Sequence, residues 1–265
     1  MLKVLCCVKQ VPDVDQMHMD PETGLLIRAG VPSILNPQDE NALSAAMWLK
    51  ENCSAELTVI SMGPPSAEQI LRDCLAVGAD RAVLVTDRVF GNADTLATSY
   101  TLFTAASSLD SFDLIICGKE TLDGATGQMG PQLAERFDAS QLTGVEAILS
   151  LDPEKREITA DRRTEEGLEQ VRATLPCLLT IEKAGFPARH ASMKGKIAAK
   201  RKQIRFVSSD DLPSLDRSRI GDKGSPTKVP RMFPPTLPEP GLLLEEGSIE
   251  ANVDRLLELL SEVRT

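Results

Sequence analysis

The feature that most limits what this chain can fold into is an alternation along its first half. Short β-branched or apolar runs, at 3–8, 56–61, 82–86 and 113–117, are separated by stretches whose apolar residues recur at helical spacing, at 39–51, 67–77, 94–109 and 128–137. In the second of these stretches Ile70, Leu71, Cys74, Leu75 and Val77 follow the three-to-four rhythm of a helix packed on a sheet. The alternation predicts an α/β fold, a mostly parallel sheet with helices on both faces, because successive parallel strands need a crossover and the crossover helices then cover the sheet. At 265 residues, 42% of them apolar, the chain has room for one large domain of this kind with appendages. Aromatics are only 3%, so its core must be Leu, Val, Ile and Ala.

Beyond Leu142 the rhythm changes. Runs at 145–149, 157–162, 169–173 and 177–182 read as strands joined by short polar turns, an antiparallel extension of the sheet. From Pro213 to Pro240 the chain holds seven of its seventeen prolines in 28 residues, which no packed α/β unit tolerates, so an extended arm is expected there. After the arm, Ser248 can cap a last helix in which Ile249, Val253, Leu256, Leu257, Leu260 and Val263 make one apolar stripe. The stripe needs a cover, either this chain's own sheet or a partner subunit. The domain expectation is 1–212 for the nucleotide-binding α/β domain and 213–265 for the arm and terminal helix.

Several function classes are disfavoured by composition. A formal charge of -10 argues against a nucleic-acid binder that relies on a basic surface, and the scarcity of aromatics leaves little for base stacking. No run approaches the eighteen apolar residues of a membrane span, and the apolar start before Lys9 is too short for an export signal; a soluble, cytoplasmic protein is expected. Six cysteines without a C-x-x-C pair do not form a disulfide framework or zinc site. His18 and His190 are far apart in sequence, and the phosphate-loop, nucleophile-elbow and zinc-helix motifs are missing, so no catalytic residue is assigned.

What remains are the loops after the strands, where open α/β sheets bind ligands. The stretch from Gly118 to Pro131 holds four glycines and follows a strand directly. Glycines let backbone N–H groups crowd onto a phosphate, and a helix starting near Gln128 adds its positive dipole end, although an ordinary glycine-rich turn would look similar. Asp94 opens another helix, and Thr95 and Thr98 share a face of its first turn, where both hydroxyls can reach one oxyanion. Loops at Lys9 to Pro12 and Met62 to Pro65 converge on the same sheet edge, which points to adenine-nucleotide binding. A separate run, Lys194, Lys196, Lys200, Arg201, Lys202 and Arg205, reads either as a solvated helix face or as a dock for an acidic partner.

Five motifs in order then carry a resemblance: Val8-Lys9-Gln10-Val11-Pro12-Asp13, Leu35-Asn36-Pro37-x-Asp39, Met62-Gly63-Pro64-Pro65, Leu75-Ala76-Val77-Gly78-Ala79-Asp80, and Gly118-Lys119-x-x-x-Asp123-Gly124. Together they resemble the β subunit of electron transfer flavoprotein. The resemblance implies a heterodimer with an α subunit that holds FAD and shuttles electrons between dehydrogenases and acceptors. Within the family the β pocket holds AMP in one branch and a second FAD in the electron-bifurcating branch. The stretches Asp87 to Thr98 and Leu71 to Leu75 resemble the latter, although Ala125 and Gly127 depart from residues common in the family.

Carried onto this sequence, the resemblance implies cofactor contacts from Cys7, Lys9, Asn36, Asp39 and Met62, a diphosphate grip from Asp94, Thr95 and Thr98, and closure by Asp123, Thr126, Gly127, Gln128 and Met129. It also implies a partner-docking loop over 184–196, with Met193 as the inserted residue and Lys194, Lys196 and Lys200 beside it. The implied chemistry is hydride acceptance from NADH at a β-bound FAD, with electrons sent to ferredoxin and to the α flavin. The implied partners are the α subunit and an acyl-CoA or lactate-type dehydrogenase. An AMP-holding, non-bifurcating β subunit and a stand-alone nucleotide-binding module are the competing readings.

Overall fold

The computed structural model describes residues 1–13, 18–19, 26–27, 31–228, 241–244 and 247–263. In chain order these form β1 (Leu2–Cys7), β2 (Gln10–Pro12), β3 (His18–Met19), β4 (Leu26–Ile27), β5 (Ser33–Leu35), α1 (Pro37–Cys53), β6 (Ala55–Met62), α2 (Glu68–Val77), β7 (Arg81–Val85), α3 (Thr95–Leu109), β8 (Leu114–Gly118) and α4 (Met129–Arg136). They continue with β9 (Ser140–Asp152), β10 (Glu157–Thr164), β11 (Gly167–Thr174), β12 (Cys177–Ile181), α5 (Met193–Arg201), β13 (Ile204–Val207) and α6 (Ile249–Val263).

Nine strands make one sheet in the order β11-β10-β9-β12-β8-β1-β6-β7-β13. The strands from β12 to β13 in that order run parallel, and so does the pairing of β12 with the start of β9; only β9-β10-β11 is antiparallel. The expected α/β architecture is therefore present. Alternate residues of β1 face opposite layers: Val4 and Cys6 join the layer of α1 and α2, while Leu5 and Cys7 join that of α3 and α4. The helices are delimited by local chemistry. Pro37 supplies the preset φ of the first turn of α1, Gly78 takes φ 142 at the end of α2, and Asp94 caps α3 by accepting from the Ala97 N–H at 3.0 Å.

Two strands differ from the sequence reading. β12 does not extend the antiparallel part but returns to the interior beside β8, and all five of its residues are buried. A continuous apolar run is the mark of a parallel strand covered on both faces, whereas the charged alternation of β10 marks a half-exposed one. β13 lies at the tail of the basic run, with only Ile204 and Val207 inward and Arg205 outward, as suits an edge strand.

The chain divides into two compact units, 1–229 and 230–265. Residues 213–228, placed in the arm by their prolines, lie in the first unit: the Ser225 hydroxyl accepts the Asp94 N–H at 2.8 Å, and the Thr227 N–H donates to Asp94 Oδ2 at 3.0 Å. The rest of the proline-rich stretch, 229–240, is outside the described residues. In the second unit Ser248 Oγ accepts from the Ala251 N–H at 3.2 Å, capping α6, on which Ile249, Val253, Leu256, Leu257 and Leu260 are exposed.

Candidate nucleotide site

β1 has β6 on one side and β8 on the other, so the direction in which the chain winds across the sheet reverses between β1 and β8. Two crossovers leaving that point in opposite directions open a crevice at the carboxyl ends of the strands. A cavity of about 340 Å³ lies there. Asp39, in the first turn of α1, bridges the crevice from behind: one carboxylate oxygen accepts the Lys9 N–H at 2.8 Å and the other the Gly118 N–H at 3.1 Å. Burial pushes this carboxyl up to about 7, against the opposing hydrogen bonds from Lys9, Asn36 and Gly118. Gly118 must lack a side chain, since a Cβ there would meet Asp39 Oδ1 at 2.6 Å and the Gln38 backbone carbon at 2.8 Å.

The start of α1 also holds the glycine loop. Asn36 Nδ2 donates to the Glu120 carbonyl at 3.0 Å, Asn36 Oδ1 accepts the Leu122 N–H at 3.1 Å, and Gln38 Oε1 accepts the Glu120 N–H at 3.1 Å. Asn36 is fully buried and stands behind the loop, with both polar atoms engaged by protein. Within the loop Ala125 (φ 45) and Gly127 (φ 63) are left-handed, and Gln128 is right-handed. Such an alternation turns successive N–H groups to one side, the arrangement that receives an anion. α4 follows immediately, and its Gly130 sits so close to β12 that a Cβ would run into the Thr180 methyl.

The opposite wall is the start of α3. Asn92, Ala93, Asp94, Thr95 and Thr98 line the cavity. Thr95 Oγ1 donates to Gln128 Oε1 at 2.8 Å and accepts from Gln132 Nε2 at 3.2 Å, which ties α3 to α4 across the site. Asp94 is spent on N–H groups: burial raises its carboxyl, but donors from Ala97, Thr227 and Leu96 hold it below the usual range. The floor is apolar: Cys7, Met62, Phe90, Leu102, Cys117, Met129 and Leu133. Burial pushes the Cys7 thiol up to about 12 and the Cys117 thiol well up too, so both pack as small apolar groups and not as nucleophiles.

At the mouth the Lys9 ammonium reaches both oxygens of Asp123 at 2.7 Å. Burial raises the Asp123 carboxyl, and hydrogen bonds from Lys9 and Thr121 more than offset it. Of the residues singled out in the sequence, Cys7, Lys9, Asp39, Met62, Asp94, Thr95, Thr98, Thr126, Gly127 and Met129 share this cavity. Asn36, Asp123 and Gln128 are outside its wall and act through the residues they hold. Phe90, from the stretch that resembles the FAD-holding branch, lines it too; Leu102, Cys117, Glu120, Thr121 and Leu133 also do, and the sequence motifs do not single them out. Cys117 is detectable as the last side chain of a strand, whereas Leu102 and Leu133 look like any core leucine on a helix.

The second set of residues, Met193, Lys194, Lys196 and Lys200, lies on α5. Met193 begins the helix instead of lying within a loop over 184–196, because Ser192 Oγ caps it by accepting the Gly195 N–H at 3.0 Å. Arg72 fastens the far end, donating to the carbonyls of Ala199 and Lys202 at 3.0 and 2.7 Å. Met193 and Ile197, one turn apart, are 74% and 55% exposed. Among the described residues no cluster of acidic, histidine or cysteine side chains could hold a metal, and no helix is long and apolar enough to cross a membrane.

A doubly wound sheet with a cavity at its switch point defines an open α/β protein of the class that binds ligands at the carboxyl ends of its strands. Residues 23–212 match the electron transfer flavoprotein domain. Relatives include Protein FixA of Bradyrhizobium diazoefficiens, 43% identical over 259 residues, covering 95% of this chain and 90% of that protein. The electron transfer flavoprotein subunit beta of Clostridium acetobutylicum is 44% identical over 228 residues, covering 86% of each. The caffeyl-CoA reductase-Etf complex subunit CarD of Acetobacterium woodii is 40% identical over 262 residues, covering 98% of each. The chain belongs to the electron transfer flavoprotein family, in the group of β subunits and FixA proteins.

Proposed function

We propose that this chain is the β half of a heterodimeric electron transfer flavoprotein and that the cavity at the β1/β8 switch point holds FAD in preference to AMP. The observation that supports this reading is that the 87–98 stretch, which resembles the FAD-holding branch, contributes Phe90, Asn92, Ala93, Asp94, Thr95 and Thr98 to the lining of the cavity. The donor chemistry fits a nucleotide phosphate: the hydroxyls of Thr98 and Thr126 and the left-handed turn at Gly127 meet there, while the carboxylates of Asp39 and Asp94 are already engaged by N–H groups. When bound, FAD would supply the redox chemistry, hydride acceptance from NADH and single-electron transfer to ferredoxin and to the flavin of the α subunit. The residues of this chain bind and orient it, and the apolar floor keeps water from its buried edge.

The same reading assigns an acyl-CoA or lactate-type dehydrogenase as partner, docked at Met193 on α5, and a cytoplasmic location. The relative named as a caffeyl-CoA reductase complex subunit supports the acyl-CoA type. Acid extraction of the co-expressed complex tests the cofactor: two FAD per heterodimer are expected, one FAD plus one AMP places the chain in the other branch, and a chain that holds nucleotide but finds no α subunit is a stand-alone module. Deleting residues 230–265 should abolish assembly. The cut belongs at 229/230, since removing 213–228 would also strip Asp94 of its partners Ser225 and Thr227. Co-purification of the shortened chain at full yield would overturn the heterodimer role of that unit.

A further inference from the structure

A second cavity, of about 370 Å³, opens between α3, α4 and the segment 218–226, and it shares no wall residue with the nucleotide cavity. Its wall carries Arg136, Arg219 and Lys223 and no carboxylate. Both guanidinium groups lie against one ring: the central carbon of Arg219 is 4.1 Å from the Tyr100 centroid and that of Arg136 is 5.4 Å from it. The ring attracts each of them, and they repel each other. Burial, and then the charge of Arg219, hold the Arg136 guanidinium below its ordinary range, the mark of a cation short of counter-charge.

Hydrogen bonding leaves the same deficit. Arg136 donates through Nε to Ser99 Oγ and through one amino group to the Leu96 carbonyl, both at 2.9 Å, and its other amino group has no acceptor among the described residues. The guanidinium of Arg219 and the ammonium of Lys223 have no hydrogen-bond acceptor among the described residues. Asp216 is the carboxylate they feel, but it stands outside the cavity wall and already accepts from the Ser218 N–H at 2.8 Å and the Ser218 hydroxyl at 2.7 Å. One engaged carboxylate thus faces two of the three cations, Arg219 and Lys223, and none faces Arg136.

We propose that this cavity is a binding site for a doubly charged oxyanion of the phosphate class, free phosphate or a phosphate monoester. A single carboxylate would satisfy one guanidinium; the Arg219 fork, the remaining amino group of Arg136 and the Lys223 ammonium, all on one cavity wall, suit a tetrahedral dianion with several acceptor oxygens. The site lies outside the nucleotide cavity, so it takes a separate ligand.

The test uses the full-length chain with the subunit it assembles with, its nucleotide cavity saturated, at ionic strength fixed with KCl. Thermal melting is followed against added inorganic phosphate, glycerol phosphate and malonate. Expected is a saturable rise with phosphate that survives Thr95→Val, a change in the other cavity, and whose midpoint moves by roughly tenfold or more in the Arg219→Gln/Lys223→Gln double variant. Because Arg219→Gln also loses its ring contact, the reading is the phosphate-dependent increment and not the basal melting point. Lys223→Gln alone, at an exposed position, should move the midpoint in the same direction by less. A response to glycerol phosphate at lower concentration than to phosphate would identify an ester as the better ligand. An equal rise in the double variant, no rise in the unaltered protein, or an equal rise with malonate would overturn the proposal.

Discussion

The switch-point cavity and helix α5 are built on opposite principles. Around the cavity nearly every polar group already has a partner within the chain: Asp39 on two strand-end N–H groups, Asp94 on the N–H groups of Ala97 and Thr227, Asn36 on the glycine loop. On α5 the backbone is secured by Ser192 and Arg72, yet the outward side chains, Met193 and Ile197 among lysines, touch little. A preorganised site loses little entropy when its ligand arrives, so it suits a resident group. An exposed apolar pair with charges around it gains only on contact, so it suits a partner that comes and goes. Changes in the first region should therefore be read in folding, and changes in the second in association alone.

The largest effect should come from Asp39→Ala. It leaves the N–H groups of Lys9 and Gly118 without their acceptor at the switch point, a loss of about 2–5 kcal/mol in stability. Chemical denaturation checks this, and nucleotide content should fall with it. The next effect is one of pH. A carboxyl raised in the folded state to about 7 contributes stability that is full below the unfolded value near 4 and is lost as pH rises through 7. Asn at that position does not titrate, so the stability gap between the unaltered protein and Asp39→Asn should narrow between about pH 4 and 7 and level off above that. The narrowing amounts to a few kcal/mol at most, on the order of 1.4 kcal/mol for every tenfold difference in proton affinity between the folded and unfolded chain. A gap that stays constant over that range would show Asp39 ionised throughout.

How far the two regions are legible in the sequence follows from the same distinction. Crossover helices and strand-end loops announce themselves by period and by glycine, so the sheet, the switch-point crevice and the loop from Gly118 can be placed. Whether a side chain in such a loop faces the cavity or its support cannot. Asn36 and Asp39 are three residues apart in one motif; one braces the loop from behind while the other bridges two strands, and only their hydrogen bonds separate these roles. β12 reads as part of the antiparallel extension because it follows two charged strands in sequence, though its own run, Cys177 to Ile181, has the unbroken apolar character of an interior strand. On α5 the identity of Met193 is readable but not its place at a capped helix start, since Ser192 acts through a backbone geometry that the basic run after it disguises.

On the side of α5, Met193→Ala should leave folding stability and flavin content unchanged while weakening the grip on the dehydrogenase. Burial of a methionine is worth about 1.5–3 kcal/mol, hence roughly a tenfold to hundredfold change in affinity. Surface binding to the dehydrogenase and electron transfer at low partner concentration measure it. Unchanged turnover would move the docking surface off α5, and a fall in stability would make Met193 a structural residue and erase the contrast.

The smallest effect on folding lies at the mouth of the cavity, where the two principles meet. The pair of Lys9 and Asp123 is well aligned, but its side chains are 45% and 32% exposed, so Lys9→Met should cost only about 0–1 kcal/mol of stability. Nucleotide retention should suffer more than stability does, because the uncompensated Asp123 carboxylate then faces an incoming phosphate across the mouth. Adding Asp123→Asn to Lys9→Met removes that charge and should restore part of the retention, whereas Asp123→Asn alone frees the ammonium for the ligand and should tighten it. The release rates of these three variants and of the unaltered protein, measured at low and at high salt, form a double-mutant cycle whose coupling shrinks as salt screens the pair. If Lys9→Met lowers stability and retention in proportion, the pair is a brace of the kind seen at Asp39, and the mouth belongs with the rigid region behind it.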